Sequence, residues 1–275
     1  IEDHAQSEYM PQAMYSLGWV YFEQQEFIKA IEALQKLILQ FPKHQLVEDA
    51  SYKIGEAKYE LKRYPEAIQH FKKFVLAFPK STRLPEAHFT IGESYYYLED
   101  YLSAIPNYAK SATLSYENRL ILMSKISLGW CYLRLERHAL AEKYFAEALE
   151  FAKQKNSLID DIYLGQGTLY TEMEKYEEAL EAYNELIDKF SESKRIAEAY
   201  LGRANVHYRM KDYRKAVRDY HTVIDKVENV AGYDEITHKA YFGLAWSYLK
   251  AGSLDLAINN FEIIKDQTTN KTVKI

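Results

Sequence analysis

Eight histidines (His4, His44, His70, His88, His138, His207, His221 and His238), one cysteine (Cys131) and adjacent carboxylates such as Asp160-Asp161 and Glu177-Glu178 are the side chains from which this sequence could build a metal centre or an acid–base pair. Their spacing supports neither. A zinc centre needs closely spaced His and Cys ligands, yet no two histidines stand at i, i+4 and Cys131 has no second cysteine for a metal or a disulfide. The paired carboxylates lie in helical, polar patterns, where they serve as solubilising charge. Gly165-Gln166-Gly167 lacks the preceding strand, the third glycine and the following basic residue of a nucleotide loop, and reads as helix packing. No catalytic residue, metal site or cofactor is expected.

The chemistry the sequence has in quantity is that of contact. It holds 25 Tyr, 12 Phe and 3 Trp, and a tyrosine joins a large apolar ring to a polar tip, which suits half-buried walls and contact surfaces. The net charge of -5 and pI near 6.0 provide no cluster of Lys and Arg to neutralise phosphates, so nucleic acid is not an expected partner. No window approaches the roughly 18 consecutive apolar residues of a membrane span. The chain starts at Ile1 without an initiator Met and stops in the polar run 268–274, so it reads as a fragment or processed form of a longer protein.

These rings are positioned by a repeat. Aligning the chain on small residues gives Gly18, Gly55, Gly92, Gly129, Gly167, Ala204 and Ala245, at spacings of 37, 37, 37, 38, 37 and 41. Twelve residues after each comes alanine: Ala30, Ala67, Ala104, Ala141, Ala179, Ala216 and Ala257. Nine residues after it stand Phe27, Tyr64, Tyr101, His138, Tyr176, Tyr213 and Leu254, and sixteen after it Leu34, Phe71, Tyr108, Phe145, Tyr183, Tyr220 and Phe261. Each unit reads as a helix A of about sixteen residues that contains the small residue, followed by a helix B starting near the nine-residue ring. Small residues let the helices approach, and the ring at sixteen fills the next gap in the stack. Pro65 sits at a helix start, Phe41-Pro42-Lys43 and Phe78-Pro79-Lys80 close the first two units, and Gly252-Ser253 turns into the last B helix. Pro106 falls inside a predicted B helix, where it deletes a backbone hydrogen bond and should bend the helix.

Leu-Gly-Trp-Val-Tyr at 17–21, Leu-Gly-Trp-Cys-Tyr at 128–132 and Tyr-Glu-Glu-Ala at 176–179 resemble the tetratricopeptide signature, and the match runs over roughly 10–268. The resemblance implies an all-α protein, an α-solenoid coiled as a right-handed superhelix, built from seven tetratricopeptide-like helix-turn-helix repeats. These fall at about 10–43, 46–80, 83–116, 117–155, 157–190, 193–229 and 233–268, in one domain over 1–275. A period near 37 with Phe-Pro-Lys endings resembles the bacterial envelope branch, with the barrel-assembly lipoprotein and the Tol-associated coordinator protein. It implies a periplasmic or outer-membrane-associated setting rather than a cytoplasmic one.

The resemblance also places the A helices on a concave face. Positions -6, -3, +1, +4 and +5 from the small residue follow i, i+3, i+4 steps and form one stripe. Along it the candidate partner-binding residues are Tyr15, Trp19 and Phe22; Tyr52, Glu56, Tyr59 and Glu60; Glu86, Phe89, Glu93 and Tyr96; Trp130 and Arg134; Tyr208 and Arg209; and Trp246. The first three repeats are aromatic and acidic, which would repel a carboxylate, and the sign of charge changes further along. All three tryptophans stand at +1. They read either as hot-spot anchors for a partner or as packing between successive A helices; the acidic stripe reads as a binding trough or as a solvated face with snorkelling tyrosines. The expected function is a non-catalytic scaffold or adaptor that holds a protein or peptide partner. The alternatives are a self-associating structural solenoid and the regulatory domain of a larger protein.

Overall fold

The computed structural model describes residues 9–155, 158–227, 230, 232 and 234–272. Among them are fourteen α-helices and no strand. The A helices are α1 (Met10–Glu23), α3 (Leu46–Glu60), α5 (Leu84–Tyr97), α7 (Asn118–Arg134), α9 (Ile159–Glu172), α11 (Ile196–Arg209) and α13 (Asp234–Lys250). The B helices are α2 (Phe27–Gln40), α4 (Tyr64–Ala77), α6 (Tyr101–Leu114), α8 (His138–Lys155), α10 (Tyr176–Lys189), α12 (Tyr213–Val227) and α14 (Leu254–Thr272). Every B helix begins on the residue nine past the small one. The helices form two compact units, 1–137 with α1–α7 and 138–275 with α8–α14. Within each unit a helix packs on its neighbours in the chain, and successive A helices also touch.

A turn with one repeated geometry separates A from B. Seven residues past each small residue the backbone enters the left-handed region, at Gln25, Lys62, Glu99, Glu136, Glu174, Lys211 and Gly252. The next N–H reaches back across the helix end to a carbonyl five residues earlier, as in Glu26 to Tyr21 at 2.8 Å and Asp100 to Tyr95 at 2.9 Å. This is the bond of a Schellman motif, and six of the seven turns adopt it without glycine.

The glycines among the small residues are glycine because a bulky side chain lies on them, Leu34 at Gly18 and a ring at the others described. A Cβ added at Gly55 would meet the Phe71 ring at 2.5 Å, at Gly92 the Tyr108 ring at 2.9 Å and at Gly167 the Tyr183 ring at 2.6 Å. In each case the ring is the residue sixteen further on, folded back from helix B onto helix A of its own repeat. In the second unit the same rings also press on the following A helix: Phe145 against Gly165, Tyr183 against Gly202 and Tyr220 against Gly243. Both glycines of Gly165-Gln166-Gly167 are therefore packing glycines. The alanines at +12 are all buried, Ala257 at 2% exposure and the other six at 0%.

The cores follow the same lattice. In the first unit Met10, Met14, Leu34, Leu37, Ala50 and Ile54 form one cluster, and Phe71, Phe74, Ala87 and Ile91 belong to the next. In the second, Ala204, Ala216, Tyr220, Val223, Ala240 and Leu244 pack together. Helices α2, α4 and α10 each end on a phenylalanine, Phe41, Phe78 and Phe190, whose N–H caps the carbonyl four residues back. Pro42 and Pro79 then bar continuation. Pro65 occupies the first turn of α4, and α6 continues through Pro106. Among the described residues no helix is long and apolar enough to cross a membrane.

Candidate functional site

In the first unit the stripe of A-helix side chains divides into two clusters. The first lies on α1 and α3. Tyr15 and Trp19 stand with ring centroids 6.4 Å apart, Trp19 is 41% exposed, and Phe22 is half-buried. Between them sits a cation that the stripe pattern does not include: Lys53 places its ammonium 4.3 Å from the Trp19 ring and 4.3 Å from the Phe22 ring. Its charge is met by Glu56, with Nζ 2.6 Å from Oε2. Glu56, expected as an open negative charge, is thus compensated within the chain.

Tyr52 is a correction. Its place on the stripe predicts a groove contact, yet it is 5% exposed. Its ring stands T-shaped to Phe71 and Phe74 at 5.5 and 5.7 Å, with the Arg83 guanidinium over it at 4.8 Å. The cause is the approach of α5, whose N-cap Arg83 also binds Asp49 of α3 at 2.9 Å and closes the residue off. The second unit repeats this pair as Arg195 with Asp161 at 2.7 Å, and both pairs span 34 residues.

The second cluster is a run of tyrosines. Tyr59 of α3 lies 5.7 Å from Tyr64 and 6.2 Å from Tyr97. Tyr64 and Tyr97 stack at 5.0 Å with 7° between planes, and Tyr96 stands edge-on to Tyr101 at 5.2 Å. Tyr97 remains 55% exposed and Glu60 is exposed. Burial pushes the Tyr59 hydroxyl well above its ordinary pKa, helped by the Glu93 charge. Burial also raises Tyr96, against the hydrogen bond from Arg134, which lowers it; Arg134 itself is exposed at the end of α7.

Glu93 is not a free surface acid. The Tyr108 hydroxyl donates to it at 2.5 Å. Its carboxyl is held above the usual range by burial, opposed by hydrogen bonds from Tyr108 and Ser127. Phe89 packs edge-on to Tyr108 at 5.5 Å, while Glu86 and Trp130 are half-buried on α5 and α7.

In the second unit a cavity of about 520 Å³ opens beside α11 and α13, lined by Asn205, Tyr208, Lys239, Phe242, Trp246 and Lys250. All six occupy stripe positions. Trp246 is 36% exposed and packs T-shaped on Phe242 at 6.2 Å and Phe261 at 5.8 Å. Tyr208 stands T-shaped to Tyr213 at 5.6 Å, and Arg209 is exposed at the end of α11. Among the described residues no group of three His, Cys, Asp or Glu side chains is placed to hold a metal ion.

Two residues escaped the sequence reading, Lys53 and Gly243, and both stand two before the small residue. That position meets the preceding repeat, and its occupants from the second repeat on are Lys53, Thr90, Ser127, Gly165, Gly202 and Gly243. The lysine among small residues was the signal.

A tetratricopeptide repeat profile matches residues 83–154 and 195–262, and a second tetratricopeptide repeat profile matches 164–220. The chain belongs to the tetratricopeptide repeat family. A profile described as anaphase-promoting complex, cyclosome, subunit 3 is similar over 3–74. No curated protein matches the sequence. Solved structures share the fold. A tetratricopeptide repeat protein from Parabacteroides merdae is 18% identical with a TM-score of 0.73, over 96% of this chain and 95% of that one. The apo form of the quorum sensor NprR from B. thuringiensis is 18% identical with a TM-score of 0.70, over 92% and 74%. Yeast Tom70 is 18% identical with a TM-score of 0.61, over 96% of this chain and 53% of that one.

Proposed function

We propose that the chain is a non-catalytic scaffold whose A-helix stripes hold a segment of a protein partner, and that the stripe of the first unit takes a basic, aromatic-rich segment. The observation that carries this reading is the seating of Lys53: an ammonium between Trp19 and Phe22, 4.3 Å from each ring, with Glu56 behind it. A face that solvates one lysine with rings and a carboxylate has the chemistry to take another from a partner. The exposed Tyr97 and Glu60 extend it. A bacterial envelope assembly is the setting we favour, on the Phe-Pro-Lys endings and the period near 37.

A photo-crosslinking residue placed at Tyr97, on this face, tests the reading against one placed at Leu76, which is 82% exposed on the B helix α4. Capture from Tyr97 and not from Leu76, in the native host, supports it. Capture from Leu76 alone moves the function to the B helices.

A further inference from the structure

We propose that the cavity beside α11 and α13 is a second binding site, of opposite charge preference, which takes a bulky apolar side chain of an acidic peptide segment. This rests on the reading of the A-helix stripes as the binding face. Its floor is aromatic and open: Phe242 is 53% and Trp246 36% exposed, with Tyr208 also lining the cavity. Rings left exposed together on one face are the usual anchors of an interface.

The floor is also fixed in shape. Gly243 leaves room for the Tyr220 ring, which a Cβ there would strike, and the Tyr220 hydroxyl donates to Asn205 Oδ1 at 2.6 Å. Both Tyr220 and Gly243 face the cavity, so the ring there is held before any ligand arrives, which lowers the ordering cost of binding.

The charge is one-sided. Lys239 and Lys250 line the cavity and no carboxylate does. Lys239 pairs with Glu235 at 2.6 Å, but the two side chains are 60% and 80% exposed, and such surface pairs hold weakly. The two lysines stand eleven residues apart on one helix, which at 1.5 Å per residue separates them by roughly 16 Å. An extended peptide rises about 3.3 Å per residue and alternates its two faces, so two carboxylates four residues apart, separated by roughly 13 Å, share one face with the apolar side chain midway between them and fall within reach of the two long lysine side chains. The first unit, where Glu60 is exposed, does not offer this pattern.

The test uses the full chain and two blocked, fluorescein-labelled decapeptides of Gly and Ser. One carries a leucine midway between two glutamates four residues apart; its counterpart carries lysines in their place. Anisotropy should give the glutamate peptide at least ~10-fold tighter binding than its counterpart, a preference of the size that two cations confer. Lys239→Glu with Lys250→Glu, both on exposed positions, should invert the preference, and Trp246→Ala should weaken both peptides, with circular dichroism checking the fold. Equal or tighter binding of the lysine peptide, no binding of the glutamate peptide, or a preference unmoved by charge reversal overturns the proposal. Tyr59→Ala with Tyr96→Ala should leave the glutamate peptide unaffected. If the glutamate peptide fails while Tyr97 still crosslinks a partner, this inference falls and the scaffold reading stands.

Discussion

Tyr108 and Glu93 are joined by a hydroxyl-to-carboxylate hydrogen bond of 2.5 Å that ties helix B to helix A of one repeat. Tyr220 and Asn205 repeat the bond at 2.6 Å, and Tyr183 bonds to Thr168 in the same relation. In all three the ring at +16 reaches under helix A to fix the stripe residue at +1. Tyr108→Phe, which removes the hydroxyl and keeps the ring, should cost about 1–3 kcal/mol because the half-buried carboxylate loses a donor. Urea denaturation of the two proteins at neutral pH reads the difference.

Glu93 gives that bond a pH dependence. Its folded pKa lies above the ordinary carboxylate value because of burial, so the folded chain holds the proton more tightly than the unfolded one. The resulting stability is fully present below the unfolded pKa and is lost as pH rises through the folded value. Glu93→Gln keeps an acceptor for Tyr108 and cannot ionise. Its stability relative to the parent should therefore climb as pH rises from about 4 to about 7. Urea titrations across that window check it, and a pH-independent difference removes the account.

The small-residue sites should resist any added carbon. Gly167→Ala places a methyl 2.6 Å from the Tyr183 ring, and Ala179→Leu enlarges a site with 0% exposure; each should cost on the order of 1–3 kcal/mol by overpacking. Thermal melts suffice, and unchanged melting in both would mean that the A–B contact is looser than its geometry.

The turns predict the opposite sign for glycine. Glu99 sits at φ 60°, where a Cβ costs roughly 1–2 kcal/mol and glycine loses about 0.5–1 kcal/mol of that gain to unfolded-state entropy. Glu99→Gly should stabilise slightly, while Gly252→Ala, at φ 84°, should destabilise by about 1 kcal/mol. Comparing the two melts tests the pair.

Lys53 occupies a site that a partner's lysine would use. Lys53→Met leaves Trp19, Phe22 and Glu56 in place without their cation, and should tighten binding of a Lys-rich peptide by about 0.5–2 kcal/mol. Calorimetry decides, and an unchanged or weaker affinity would sink the assignment of this cluster to a basic ligand.

The helices and their phase were legible because seven copies of Gly or Ala, Ala at +12 and a bulky apolar or aromatic residue at +16 repeat one packing problem, and each B helix starts where the +9 residue says. The left-handed turns were not, because Gln25, Lys62, Glu99, Glu136, Glu174 and Lys211 are not residues that announce positive φ. Tyr52 was misplaced because its exposure depends on Arg83 of the next repeat, 31 positions on. The +1 residues were legible in retrospect. Where +16 is Tyr108, Tyr183 or Tyr220, the +1 residue is Glu93, Thr168 or Asn205, a polar partner for the hydroxyl; where it is Leu34, Phe145 or Phe261, the +1 residue is Trp19, Trp130 or Trp246, and the second repeat departs from this with Glu56 over Phe71, its carboxylate met by Lys53. A hydroxyl under the stripe needs a polar partner above it, and an apolar group does not.

The glycines two before the small residue bear on how such a chain can change over generations. Gly165, Gly202 and Gly243 each receive the ring of the repeat before them, whereas the second repeat carries Lys53 at that point. Copying the second repeat into the place of the fifth would drive a lysine stem into Phe145. The repeats of the second unit are thus directional neighbours, each fitted to its predecessor, and a swap into the place of the fifth, sixth or seventh repeat is tolerated only when the donor brings a residue small enough to meet the incoming ring.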